Sequence, residues 1–276
     1  MDWLISVFYG FLTGLGELMP VSAGTHDYFL ELMTRFDPNQ PLLRLWIHLA
    51  ILLAVLLLNR HRAAHIYREM RIAAQPARRR KRQPDVTAVL DGRVVITALL
   101  PAAIGLVLML WLRSREQALP MIALLLILNG MAIYAPHFLP GANRDSRHLS
   151  QLEAWIFGIA AGLSAFTGVS RMGAMISAGA FGGCARGYVL EIFYLMMLPL
   201  LALLVILDLF AVLAGGIGAI TFLVFLKCLL AGAAAFGGAC LAITVMRFLS
   251  VNAGYTAFAY YNWGLGFFAF VLYLMI

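Results

Sequence analysis

A hydrophobic run near the start of the chain is interrupted by a dense group of polar residues, and this interruption strongly limits the possible folds. Residues 10–29 read GFLTGLGELMPVSAGTHDYF, with acidic, hydroxyl and histidine side chains around one proline. Non-helical backbone at membrane depth is tolerated only where protein or a water-filled cavity surrounds it. The run therefore predicts two short helices, Trp3–Met19 and Thr25–Met33, that meet at a break and form a re-entrant hairpin.

The same pattern returns in the second half of the chain. Residues 158–179 read GIAAGLSAFTGVSRMGAMISAG, and five identities keep a constant offset of 148 residues. They pair Gly10 with Gly158, Gly14 with Gly162, Leu15 with Leu163, Val21 with Val169 and Ser22 with Ser170. Matching interrupted segments in two halves indicate a binding site at the membrane midplane. We predict a second re-entrant hairpin and inverted-topology repeats, 1–135 and 151–276; chance similarity between two helices rich in small residues is the alternative.

The composition is that of a membrane protein. Of the 276 residues, 63% are hydrophobic and 12% are charged. A membrane-spanning helix needs about 20 mostly apolar residues, and six stretches outside the hairpins approach or exceed that length. They are Leu42–Leu58, Val94–Leu112, Pro120–Ala135, Val189–Leu207, Ile220–Met246 and Tyr255–Ile276. The sequence therefore predicts one all-α polytopic membrane domain over residues 1–276.

Basic residues are concentrated between the first two predicted spans. Within a net charge of +7, nine arginines and lysines lie in residues 60–82. Because positively charged connections stay on the cytoplasmic side, we predict a cytoplasmic loop over 60–92 beside anionic membrane lipids, and no nucleic-acid binding. In this orientation the two hairpins enter the membrane from opposite faces.

Polar residues at the two breaks form one candidate site. The residues expected to converge are Glu17, Ser22, Thr25, His26, Ser170 and Arg171. A buried arginine requires an anionic partner, and its planar fork suits phosphate. Helix-end N–H groups around Gly24 and Gly173 add affinity for anions. The set predicts a site for a phosphorylated ligand.

His26 and Glu17 are the candidates for acid–base chemistry at this site. His26 is the candidate general acid, general base or nucleophile, and Glu17 either orients it or holds a divalent cation beside phosphate oxygens. Ser22 and Ser170 offer hydroxyls for hydrogen bonds or attack. The alternatives are a structural Arg171–Glu17 ion pair, a packing role for His26, and serines bonded to their own helices.

Three further titratable residues lie in the predicted spans. His48 is either structural or functional, whereas Glu191 and Asp208 are expected near span ends, facing the membrane interface. Glu17 is then the one clear buried carboxylate, and this weighs against a proton-coupled transporter, which needs several.

The two breaks resemble the motifs of one protein family. Residues 14–26, GLGELMPVSAGTH, resemble the EGxTEFLPxSSxGH motif of the undecaprenyl-pyrophosphate phosphatases of the BacA/UppP type, and residues 167–173, TGVSRMG, resemble that family's PGxSRSG. The resemblance extends to Ile47-His48-Leu49, Ala54-Val55, Arg93, Pro101, Gly105 and Phe258-Ala259-Tyr260-Tyr261.

The resemblance implies an inverted-repeat fold that removes the terminal phosphate from a polyprenyl pyrophosphate. It places that reaction at the outer face of the bacterial inner membrane, with Mg²⁺ or Ca²⁺. It also implies that Glu17 is the motif carboxylate and metal ligand, that His26 is the motif histidine, and that Ser170 and Arg171 clamp the phosphate. A homodimer is one assembly that we consider for this protein.

Several positions depart from the family pattern, and five of them bear most on the chemistry. Thr13 replaces the first glutamate, Ala23 the second serine, Thr167 and Met172 the proline and last serine of the second motif, and Asn262 an arginine. Loss of a carboxylate weakens metal binding, and loss of the hydroxyl at Ala23 removes a candidate nucleophile that Thr25 could replace. We therefore predict polyprenyl pyrophosphate hydrolysis, with non-hydrolytic transport or binding of the lipid phosphate as the alternative.

Overall fold

The chain folds into a series of helices joined by short connections. The computed structural model describes residues 2–80, 82–113, 118–139, 143–215 and 221–275. In chain order its α-helices are α1 (Asp2–Gly16), α2 (Ala23–Thr34), α3 (Pro41–Ala74), α4 (Val86–Arg113), α5 (Leu119–Tyr134), α6 (Gln151–Gly162), α7 (Arg171–Phe181), α8 (Arg186–Ala214), α9 (Phe222–Asn252) and α10 (Thr256–Met275).

Six helices in the described part of the chain are long and apolar enough to cross a membrane. They are α3, α4, α5, α8, α9 and α10. The all-α class and the number of spans are thus confirmed. Two residues that end predicted spans, Ile220 and Ile276, lie outside the described residues.

The connection predicted over 60–92 is helical on both sides of its irregular middle, and its cytoplasmic placement stays a prediction. Helix α3 continues from its apolar part to Ala74, and α4 begins at Val86. Residues 59–74 contain no glycine or proline that would end a helix. The helix stops where Gln75 takes an extended conformation (φ −73°, ψ 145°) directly before Pro76, because a following proline disfavours helical backbone.

Two pairs of short helices lie at the positions predicted for the breaks. Helices α1, α2, α6 and α7 have 15, 12, 12 and 11 residues, fewer than a span needs. Each second helix begins directly after a serine in extended backbone, Ser22 before α2 and Ser170 before α7. Serine at this position favours helix initiation, since its backbone is non-helical and its hydroxyl can accept an N–H.

The first helix of each pair packs closely on a long helix through glycine. Helix α1 lies along α9, and α6 lies along α4. A Cβ atom added to Gly10 would lie 2.1 Å from the carbonyl oxygen of Ala231, and one added to Gly158 would lie 2.1 Å from that of Ala98. Small residues allow such close backbone approach between membrane helices, and this packing brings the two breaks into the protein interior.

Candidate functional site

The two breaks contact each other through their serines. The Oγ of Ser22 accepts a hydrogen bond from the N–H of Gly168 in the second break (3.0 Å). The Oγ of Ser170 donates to the carbonyl oxygen of Met19 in the first break (3.3 Å). Both serines are almost fully buried, so these bonds satisfy polar groups that water does not reach.

Hydroxyl groups within each break make further local bonds. Thr25 Oγ1 donates to Ser22 Oγ (2.9 Å), and Ser170 Oγ accepts the N–H of Gly173 (3.0 Å). The second bond caps α7, whereas no side-chain bond from Ser22 caps α2. Because the N–H groups of Thr25 and His26 donate to the Ser22 carbonyl oxygen, Ala23 and Gly24 have the amides of this helix start that are left for an anion.

Two buried asparagines link the two breaks by hydrogen bonds. Asn262 Nδ2 donates to the carbonyl oxygen of Pro20 (3.0 Å), and Asn262 Oδ1 accepts from Asn129 Nδ2 (2.9 Å). Asn129 Oδ1 in turn accepts the N–H of Ser170 (3.2 Å). The sequence marked Asn262 only as a departure from the family arginine; the structure shows it bridging both breaks.

Arg171 and Glu17 form a largely buried ion pair between the two breaks. Arg171 Nη1 lies 2.9 Å from Glu17 Oε2, and Nε donates to Ser164 Oγ (3.1 Å). Their side chains are 7% and 15% exposed. The alternative of an Arg171–Glu17 pair is thus observed, but the pair also faces a cavity and is not sealed in the core.

That cavity has a volume of about 720 Å³, and four of the eight predicted site residues line its wall. The predicted residues that line it are Glu17, Ser22, Gly24 and Arg171. The others, Thr25, His26, Ser170 and Gly173, are not among the described residues of its wall. The structure therefore places the carboxylate and the arginine at the cavity and the motif histidine elsewhere.

His26 is held on the side of α2 that faces α10. Its Nε2 lies 2.6 Å from Tyr261 Oη, and the two rings are stacked with centroids 6.0 Å apart. Its Nδ1 is buried and has no hydrogen-bond partner among the described residues. In this conformation Nε2 is engaged by Tyr261, and His26 is not among the described residues that line the cavity.

A second charged cluster at the cavity was missed in the sequence. Asp208 was predicted at the membrane interface, and this was wrong because α8 continues to Ala214 and buries the side chain. Asp208 Oδ1 lies 3.0 Å from Arg44 Nη2, and Oδ2 lies 2.5 Å from His48 Nδ1. Arg44 and His48 both line the cavity, and their spacing of four residues places them on one helix face.

The residues at the site do not form a ligand set for the predicted divalent cation. In the part of the chain that the structure describes, no three His, Cys, Asp or Glu side chains are grouped to hold a metal. Glu17 is engaged by Arg171, and Thr13, at the family's other glutamate, donates its hydroxyl to the carbonyl oxygen of Tyr9 (2.9 Å). These residues do not make a metal site on their own, so Mg²⁺ or Ca²⁺ stays a prediction.

Taken together, the fold and site define a multi-pass membrane protein in which two interrupted helix pairs enclose a cavity lined by buried charges. The family profile for the bacitracin resistance protein BacA matches residues 6–268. The chain therefore belongs to that family.

Three curated relatives share the name undecaprenyl-diphosphatase. An undecaprenyl-diphosphatase of Idiomarina loihiensis is 26% identical over 203 residues, which cover 73% of this chain and 74% of that protein. One from Mycobacterium sp. strain KMS is 31% identical, covering 72% and 71% of the two chains. One from Halothermothrix orenii is 20% identical over 268 residues, covering 96% of both.

Proposed function

We propose that this protein hydrolyses undecaprenyl pyrophosphate to the monophosphate and so recycles a lipid carrier of cell-envelope synthesis. The observation that carries the proposal is the buried guanidinium of Arg171 at the wall of a cavity, in a family whose relatives are named undecaprenyl-diphosphatases. Those names give no support to the alternative of a non-hydrolytic carrier.

Substrate binding is assigned to Arg171 and to the start of α2. A guanidinium binds phosphate through a planar fork of N–H donors, and Glu17 holds that fork at the cavity until the phosphate competes for it. The uncapped N-terminus of α2, with Gly24 at the cavity wall, adds backbone N–H donors and the positive end of the helix dipole. Together these groups offset part of the charge of a pyrophosphate and stabilise its transition state.

Re-entrant hairpins and inverted repeats are part of the proposal. Gly10 and Gly158, which are paired at the repeat offset, make the same close contact with a carbonyl oxygen of a long helix. Ser22 and Ser170, also paired, each precede a short helix and bond to the opposite break. The equivalent glycine contacts, with serines at matching positions, support a duplication more strongly than sequence similarity alone.

The membrane orientation follows from the two ends of α3. Arg44 lies at the cavity, and Arg68 lies 24 residues further along the same helix, about 36 Å away at 1.5 Å per residue. If the basic end is cytoplasmic by the positive-inside rule, the cavity lies toward the outer face of the bacterial inner membrane. A homodimer stays a prediction.

Phosphate release from undecaprenyl pyrophosphate by the detergent-purified protein, with Mg²⁺ or Ca²⁺, tests the proposal. We expect release by the parent protein and by Arg68→Ala, an exposed arginine at the far end of α3, and none by Arg171→Ala. His26→Ala, measured beside them, tests the predicted role of the motif histidine. A parent protein without activity, or full activity in Arg171→Ala, would refute the assignment.

A further inference from the structure

His48 is the imidazole that reaches the cavity. It lies in α3, is 7% exposed and lines the same cavity as Arg171 and Glu17. Its Nδ1 is bonded to Asp208 Oδ2, which leaves Nε2 as the ring nitrogen that Asp208 does not engage. His26, in contrast, has Nε2 bonded to Tyr261 and does not line the cavity.

The contacts around Asp208 determine which ring nitrogen of His48 carries hydrogen. Arg44 Nη2 lies 3.0 Å from Oδ1 of Asp208, so the carboxylate is the anionic partner of a guanidinium. An ionised carboxylate only accepts hydrogen bonds, so in the neutral imidazole of His48 it is Nδ1 that donates and Nε2 that keeps the free lone pair. A carboxylate that orients an imidazole in this way is the usual arrangement of a histidine general base.

We infer that His48 is the general base of the hydrolysis, with Asp208 and Arg44 as positioning residues; this inference rests on the proposed function. Nε2 takes a proton from a water molecule whose oxygen forms a bond to the terminal phosphorus. The bond from that phosphorus to the bridging oxygen breaks, and its electron pair stays on the bridging oxygen, which becomes a terminal oxygen of the lipid monophosphate. Inorganic phosphate leaves, and Nε2 later returns its proton to solvent.

Kinetics of His48→Gln, Asp208→Asn and the matched control His61→Gln test this role. His61 lies on the same helix and is exposed, so its variant is expected to match the parent protein. Loss of a general base typically costs about 10²–10⁴-fold in rate; we expect kcat to fall by that factor in His48→Gln and Asp208→Asn, with KM changed by less than about threefold. Equal melting temperatures would show that the variants are folded.

Two further measurements separate proton transfer from a structural role. Added imidazole is expected to restore part of kcat in His48→Ala but not in Arg171→Ala. The parent kcat is expected to fall at acidic pH, and His48→Gln is expected to lack that fall. The cavity wall also holds Glu17, Asp27, Glu31, Arg44, Arg171 and the phenols Tyr9 and Tyr28; these are common to both proteins, so a difference between the profiles reports His48.

The outcomes distinguish this inference from the proposed function. An inactive parent protein would refute the function itself. With an active parent, wild-type kcat in His48→Gln would overturn the role of His48. So would a change confined to KM, or a pH profile identical to that of the parent protein together with no rescue by imidazole.

Discussion

Alanine at Gly10 or Gly158 would place a methyl group where a neighbouring helix already lies. The added Cβ would stand 2.1 Å from a backbone carbonyl oxygen in both cases, whereas ordinary contacts begin at 3.4 Å. Neither oxygen belongs to a side chain that can rotate away. Helix α1 would have to move from α9, or α6 from α4, by roughly an ångström, and forcing extra carbon into a packed interior costs about 1–3 kcal/mol.

A glycine-to-alanine change also raises helix propensity, and a matched control removes that contribution. Gly237 lies in α9 with nothing within 4 Å of an added Cβ, so Gly237→Ala is expected to gain about 0.5–1 kcal/mol from propensity alone. The packing cost is the difference between the variants. At about 2–4 °C per kcal/mol for a chain of this size, Gly10→Ala and Gly158→Ala should each melt about 2–12 °C below Gly237→Ala.

Thermal unfolding of the purified variants in one detergent, followed by circular dichroism, measures this difference. Similar losses at Gly10 and Gly158 would agree with equivalent packing in the two halves. If both variants melted as high as Gly237→Ala, the close approach of α1 to α9 and of α6 to α4 would be refuted. A loss at one position alone would contradict the equivalence of the repeats.

Three further predictions concern the supports of the breaks and of α6. Asn262→Ala leaves the buried amide of Asn129 without its partner, costs about 1–3 kcal/mol, and should lower both the melting temperature and the rate of phosphate release. Ser150→Ala removes the N-cap of α6 and should destabilise by about 1 kcal/mol, measured by thermal unfolding. Hydrogen bonds from the Ser150 N–H and, second, from Arg144 lower the pKa of Glu153 below 4.5. The stability that ionised Glu153 contributes is complete above that value and is lost as pH falls through the lowered pKa. The stability difference between the parent protein and Glu153→Gln should therefore shrink as acid is added.

Local sequence patterns predicted the elements of the fold well. The two breaks follow from polar residues within apolar runs, because a lipid-facing helix would leave those groups without partners. The extent of α3 was missed, since charge was taken as the sign of a loop, whereas residues 59–74 lack the glycine or proline that ends a helix. Pro76, a purely local signal, marks the true end.

The composition of the cavity wall was less predictable than the elements around it. Arg171 and Glu17 were placed together because a buried arginine needs an anion, and they form an ion pair 154 residues apart. The same reasoning did not extend to Asp208, which meets His48 across 160 residues. His26, central to the motif, faces Tyr261 and not the cavity.

By itself, the sequence determined that this chain is a membrane protein with six spans and two interrupted helix pairs, because hydrophobic length and helix-breaking residues act over short distances. Tertiary structure alone decided which imidazole faces the cavity. That choice depends on how α3 packs on α8 and α2 on α10, and the rotation of a helix about its axis is set by contacts between residues far apart in the chain.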